Sequence, residues 1–157
     1  MNDSSTLAAV AFSSFTDNQS NGGPGGAGGK GGNATGAGVN ATSADGATAM
    51  TISDCFFSGN RALGGAGGTN GTGGDANGGA ILNSARMYSA SLTVTGTTVR
   101  DNQALGGDGQ GSGNGGIASG GGIKSQVLIA SLIADATVTD STIAGNQAVG
   151  GAGGSTG

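Results

Sequence analysis

A fifteen-residue stretch that returns four times constrains this chain more than any other feature. Its clearest copy is T-V-T-G-T-T-V-R-D-N-Q-A-L-G-G, Thr93 to Gly107; the others are Ala9 to Gly23, Thr51 to Gly65 and Thr137 to Gly151. The asparagine in each, Asn18, Asn60, Asn102 and Asn146, recurs at intervals of 42, 42 and 44 residues. A fixed period of that size is the mark of a solenoid or array. It also changes how the composition reads. Thirty-eight glycines in 157 residues would otherwise suggest a disordered, low-complexity chain. A disordered linker has no reason to hold apolar residues in register over four copies.

Stacking the copies gives apolar columns: Ala8, Met50, Leu92 and Ala136; Val10, Ile52, Val94 and Val138; Phe15, Phe57, Val99 and Ile143. Hydroxyl residues alternate with them, Thr51, Thr93 and Thr137 in one column and Ser53, Thr95 and Thr139 in the next. Period-two alternation of β-branched and polar residues predicts a half-buried strand with the Thr/Ser array facing outward. The recurring asparagine is expected at a corner, bonding its own backbone or forming an amide ladder with the copies above and below. Its role is structural.

A glycine tract follows in each copy. In the first it runs from Gly22 to Gly32 with a G-G-X period. Three residues per turn suits a polyproline-II-like helix, which has no internal hydrogen bonds and must bond to neighbours. Beyond the tract, Val39, Ile81 and Ile123 sit 42 residues apart and predict a second stacked strand. A third, weaker strand is expected around Arg86 to Ser89 and Val127 to Leu132.

One copy is then one coil, pairing in parallel with the next at about 4.8 Å. The expected fold is all-β: a parallel β-helix (β-solenoid) of about four coils, 6–48, 49–90, 91–134 and a partial 135–157, with glycine-rich excursions packed on one side. The pattern G-G-x-I, then L-T-V-T-x-T-x-V/F-x-x-N-x-A, then glycine, resembles the right-handed parallel β-helix repeats of bacterial surface proteins. These include autotransporter passenger domains, polymorphic outer-membrane proteins and adhesins. The long glycine tracts resemble the polyglycine-helix bundles of some phage adhesins and one class of antifreeze protein. These resemblances imply an extracellular or cell-surface setting and non-catalytic work. With open strand edges at both ends, they lead to a structural or adhesive repeat protein, a segment of a longer array or a subunit of a self-stacking filament.

Chemistry is sparse. Glutamate, histidine and tryptophan are absent, and the net charge is −4. Lys30, Arg61, Arg86, Arg100 and Lys124 are scattered along the chain, so no basic patch for nucleic acid is evident, and no apolar run reaches the length of a membrane span. The start of the chain lacks the basic residues and apolar core of a signal peptide. Asp17 with Asp101, and Asp54 with Asp140, share columns two coils apart, about 9.6 Å. That separation is compatible with an inverting glycosidase pair, but no supporting basic residue accompanies either pair. No catalytic, cofactor or metal site is expected. Cys55, the one cysteine, aligns with Ser13, Thr97 and Ser141 and reads as a small strand residue. Asn2, Asn18, Asn33, Asn40 and Asn70 are candidate glycosylation sites in N-x-S/T triplets. The competing functional expectation is ice binding by the outward Thr array, with Ala9 and Ala11 interrupting it in the first copy.

Overall fold

The computed structural model describes residues 5–155 of the chain. Five short strands make the first coil: β1 (Thr6–Ala11), β2 (Ser14–Thr16), β3 (Gln19–Asn21), β4 (Ala34–Thr35) and β5 (Val39–Ser43). The second repeats them as β6 (Thr48–Ser53), β7 (Phe56–Ser58), β8 (Arg61–Leu63), β9 (Ala76–Asn77) and β10 (Ile81–Ala85). The third does so as β11 (Ala90–Thr95), β12 (Thr98–Arg100), β13 (Gln103–Leu105), β14 (Ala118–Ser119) and β15 (Ile123–Val127). The fourth contributes β16 (Ala134–Thr139), β17 (Thr142–Ala144) and β18 (Gln147–Val149). Like strands pair in parallel, coil on coil, in five sheets. The chain is an all-β parallel solenoid.

The register matches the sequence columns residue for residue. Val10, Ile52, Val94 and Val138 are successive partners, as are Phe15, Phe57, Val99 and Ile143 and Val39, Ile81 and Ile123. Ile52, Phe57, Ile81, Leu92, Val94 and Val99 form the main core. Burying each such side chain contributes about 1.5–3 kcal/mol. In-register pairing also stacks the Phe15 and Phe57 rings, centroids 4.7 Å apart and planes 4° from parallel.

The fifteen-residue repeat makes three strands and two corners rather than one wall. At the first corner φ is positive at Phe12, Asp54, Gly96 and Asp140; at the second, at Asp17, Gly59, Asp101 and Gly145. The left-handed conformation therefore falls on the residue before the recurring asparagine, not on the asparagine itself. Asp and Gly are among the residues that adopt it at least cost.

One further expectation is corrected. The stretches Arg86–Ser89 and Val127–Leu132 hold no third strand. Residues 86–89 are bend and coil, and 128–132 bend and turn after β15 ends at Val127. The chain must turn there from β10 to β11 and from β15 to β16, and local bonds hold the bends. Ser43 Oγ donates to the Tyr88 carbonyl and accepts from Arg86 N–H; Leu132 N–H donates to Ile129 O at 3.0 Å. The second stacked strand expected around Val39, Ile81 and Ile123 is present as β5, β10 and β15; before it the short strands β4, β9 and β14 form a further sheet, separated from it by a turn at Gly36, Gly78 and Gly120, each with positive φ.

The glycine excursion is an arm with an outward and a return leg. Every third donor bonds to the next coil: Gly22 N–H to Leu63 O, Gly25 to Ala66, Gly28 to Thr69 and Gly31 to Thr72, at 2.8–2.9 Å. The legs also bond each other, Gly32 N–H to Gly23 O and Gly74 to Gly65, both at 2.8 Å, and coils interlock through Gly65 N–H to Gly32 O and Gly107 to Gly74, both at 2.9 Å. A helix of three residues per turn presents such donors in three directions. At the arm's base Ala34, Ala62, Ala76 and Ala104 form a second, alanine-only core.

Candidate functional site

The asparagine column is a continuous ladder. The Nδ2 of Asn18 donates to Asn60 Oδ1 at 2.8 Å, Asn60 to Asn102 at 2.8 Å and Asn102 to Asn146 at 2.9 Å. Each Oδ1 above the first also accepts the preceding asparagine's backbone N–H, at 2.9–3.2 Å. Asn60 and Asn102 are fully buried. A neighbouring column works in the same manner. Thr97 Oγ1 and Ser141 Oγ donate to carbonyls two residues back and accept an N–H from the coil before, Cys55 N–H and Thr97 N–H respectively. Buried Cys55 donates from Sγ to Ser53 O at 3.1 Å.

Thr51, Thr93 and Thr137 are consecutive partners on the outer face of the β1–β6–β11–β16 sheet, and so are Ser53, Thr95 and Thr139. The three threonines of the first column are exposed, and Thr95 Oγ1 lies 3.1 Å from Thr139 Oγ1. The aspartates Asp17, Asp54, Asp101 and Asp140 are all exposed corner residues. Among the described residues no three metal-ligating side chains cluster, and no helix is long and apolar enough to cross a membrane.

Of the glycosylation candidates, Asn2 lies outside the described residues. Asn18 already commits its Nδ2 to the ladder. Asn70 (φ 59°) is exposed in the arm's second turn, with Oδ1 accepting from Ser112 N–H. Asn33 and Asn40 both line a groove on the outside of the solenoid.

That groove was not evident in the sequence. It has a volume of about 640 Å³ and lies between the outward side chains of β5–β10–β15 and the return side of the arm. Asn40, Leu82 and Lys124 share one register column of its floor; Thr42, Ser84 and Gln126 share the next. Asp75 and Asn77 stand on the opposite wall, and Arg86 lies beyond the floor strand. Lys30 pairs with Asp75 at 2.5 Å. Lys124 donates to Ser119 Oγ at 2.7 Å and to Asn77 Oδ1. Burial pushes the Asp75 carboxyl up, but Lys30, the Ile117 N–H and Lys124 together outweigh it and hold Asp75 below its ordinary range. Burial lowers the Lys124 ammonium, and Asp75 opposes that. The basic residues looked scattered because Lys30, Arg86 and Lys124 are tens of residues apart. The one available signal was that Lys124 falls in the same 42-residue column as Asn40.

Compared with known protein families, characterised proteins and solved structures, the chain gives no match.

Proposed function

We propose that this chain is a structural, adhesive repeat unit of an extracellular or cell-surface protein, of the autotransporter or adhesin kind, which lengthens by stacking coil on coil. One observation carries the self-stacking part. Gly65 and Gly68 have to be glycine, because the Gly23 and Gly26 carbonyls of the first coil stand where a Cβ would go; Gly107 meets Gly65 O and Gly151 meets Gly107 O in the same way. Gly23 and Gly26 occupy the same columns, yet a Cβ on either would meet nothing within 4 Å, and neither has positive φ. Glycine is required at these two positions only when a further coil lies against that edge. Complementary features support the reading. Asn18 Oδ1 receives no bond among the described residues, whereas every later rung receives two. At the opposite end Val138 and Ile143 are 40% and 49% exposed, in columns where Val94 and Val99 are 0% exposed. A heterologous contact of this kind does not close on itself and produces a filament.

The test compares wild type with two double variants by sizing, electron microscopy and fibre diffraction. Wild type is expected to form fibres with an axial repeat of about 4.8 Å. Gly23→Ala/Gly26→Ala should fold, with a gain of about 0.4–1 kcal/mol per site from the restricted unfolded chain, but should no longer associate. Gly65→Ala/Gly68→Ala should fail to form the arm. Wild type that stays monomeric at high concentration, or an alanine pair at 23 and 26 that assembles normally, removes the self-stacking part.

A second reading rests on the Thr51–Thr93–Thr137 column, an exposed hydroxyl and methyl row of the kind an ice surface could match. Absence of thermal hysteresis in a freezing assay disposes of it.

A further inference from the structure

We infer that the groove between the β5–β10–β15 face and the glycine arm is a binding site for a carboxylate-bearing oligosaccharide. This site is independent of coil stacking. The groove takes residues from all three complete coils, Asn40 and Thr42 from the first, Ser84 and Arg86 from the second, Lys124 and Gln126 from the third. It therefore extends along the solenoid and suits a chain ligand rather than a compact one. Its 640 Å³ lies within the range of ligand-binding clefts.

The lining is chemically selective. Asn and Gln amides and Ser and Thr hydroxyls both donate and accept hydrogen bonds, as sugar hydroxyls do. Ile117 and Leu128, exposed at the sides of the groove above buried Leu82, offer apolar contact for the C–H faces of sugar rings. No aromatic side chain lines the groove, so base stacking of the kind single-stranded nucleic acids rely on has no platform.

Charge fixes the class of sugar. The chain carries −4 overall and only five cations, yet Arg86 and Lys124 both line this groove and Lys30 reaches its wall. The one carboxylate in the lining, Asp75, is already neutralised by Lys30 at 2.5 Å. Lys124 has neutral partners in Asn77 and Ser119. The Arg86 guanidinium makes no hydrogen bond or ion pair among the described residues. A planar guanidinium fork matches a carboxylate through two parallel hydrogen bonds. Lys30 and Lys124 share the single Asp75 carboxylate and Arg86 has none, so the groove carries more positive than negative charge, which a uronate-type chain would balance and an uncharged glycan would not.

The experiment is calorimetric titration of the whole chain with three hexasaccharides: a galacturonic acid hexamer, uncharged maltohexaose, and a sulfated hexasaccharide lacking carboxylates. The galacturonate hexamer is expected to bind, maltohexaose at least tenfold more weakly, and the sulfated chain more weakly than the galacturonate. Arg86→Gln and Lys124→Gln should each weaken galacturonate binding by about tenfold or more, with melting temperature unchanged for Arg86→Gln, whose side chain holds nothing in place. Arg100→Gln, a cation lying over the Phe56 ring outside the groove, should leave binding as it was. The inference is overturned if the galacturonate hexamer does not bind, if neutral and acidic chains bind equally, if the sulfated chain binds tighter, or if Arg100→Gln weakens binding as much as Arg86→Gln.

Discussion

Replacing Asn102 with alanine is the sharpest probe of the ladder. Asn102 is fully buried. It accepts from Asn60 N–H at 2.9 Å and Asn60 Nδ2 at 2.8 Å, and its own Nδ2 donates to Phe57 O, Arg100 O and Asn146 Oδ1 at 3.2, 2.9 and 2.9 Å. Asn102→Ala leaves the buried Asn60 N–H without an acceptor and removes one of the two bonds its amide makes. A buried donor left unsatisfied costs about 1–3 kcal/mol, and the vacated amide adds a small cavity. The expected loss is about 3–5 kcal/mol, against a total stability of about 5–15 kcal/mol for a domain. Asn18→Ala should cost about 1 kcal/mol or less. Asn18 is exposed, and Asn60 Oδ1 would still accept the backbone N–H of residue 18.

With no tryptophan in the chain, urea unfolding is followed by far-ultraviolet circular dichroism, with midpoint and slope both recorded because repeat arrays can lose two-state behaviour. Asn102→Asp adds a pH signature. One carboxylate oxygen keeps the bonds that Oδ1 accepts from Asn60, but the oxygen that replaces Nδ2 cannot donate and faces the Phe57 and Arg100 carbonyls and Asn146 Oδ1. Its folded-state pKa must therefore lie above the unfolded value. Relative to wild type, the variant is weakest above that raised pKa and recovers as pH falls through it, when the carboxyl regains a proton to donate. Equal losses for Asn18→Ala and Asn102→Ala, or no acid recovery for Asn102→Asp, would refute the ladder as the source of stability.

Two further outcomes follow from neighbouring columns. Cys55→Ser places a hydroxyl where Thr97 and Ser141 carry one, each bonded to a carbonyl two residues back; the unfolding midpoint should move by no more than about 0.5 kcal/mol, and a loss above about 2 kcal/mol would contradict that bonding pattern. Asp75 has a lowered pKa, so its ionised form adds stability that is present above the unfolded value and lost as pH falls through the lower folded one. Asp75→Asn should therefore flatten the acid limb of the stability profile, and an unchanged limb would mean that the Lys30 pair contributes nothing.

The fold was legible because a solenoid writes its cross-section into sequence columns. Val10, Ile52, Val94 and Val138 could be aligned from spacing alone, and the parallel register follows from that alignment. Corners were less visible. Apart from Phe12, the left-handed corner residues are Asp or Gly, residue types the chain also uses elsewhere, so the break at Asp54 or Gly96 does not stand out within an alternating strand. The groove was hidden for a different reason. Its walls come from strands separated by the whole glycine arm, and Asp75 meets Lys30 across 45 residues. Only once the arm folds back, through bonds such as Gly32 to Gly23, do residues that look like loop composition become a cleft.

The corner columns also carry a pattern that only the stacked geometry explains. Aspartate and glycine alternate, Asp54–Gly96–Asp140 at one corner and Asp17–Gly59–Asp101–Gly145 at the other, all with positive φ. The Asp54 Oδ1 lies 2.6 Å from where a Cβ on Gly96 would sit, and Asp17 and Asp101 stand in the same relation to Gly59 and Gly145. Asp17, Asp54 and Asp101 each lean over the next coil, which excludes a side chain there, and the alternation keeps carboxylates from stacking at about 4.8 Å. Gly96→Ala should then lose stability twice, about 1 kcal/mol for alanine in a left-handed conformation and about 0.5–1.5 kcal/mol for displacing the Asp54 rotamer. Asp54→Gly removes the second loss and keeps the backbone. A double-mutant cycle by urea unfolding should therefore show a coupling of about 0.5–1.5 kcal/mol, with alanine at 96 better tolerated when residue 54 is glycine. Strict additivity would show that the left-handed backbone alone selects glycine at this corner, and that the alternation has no steric origin.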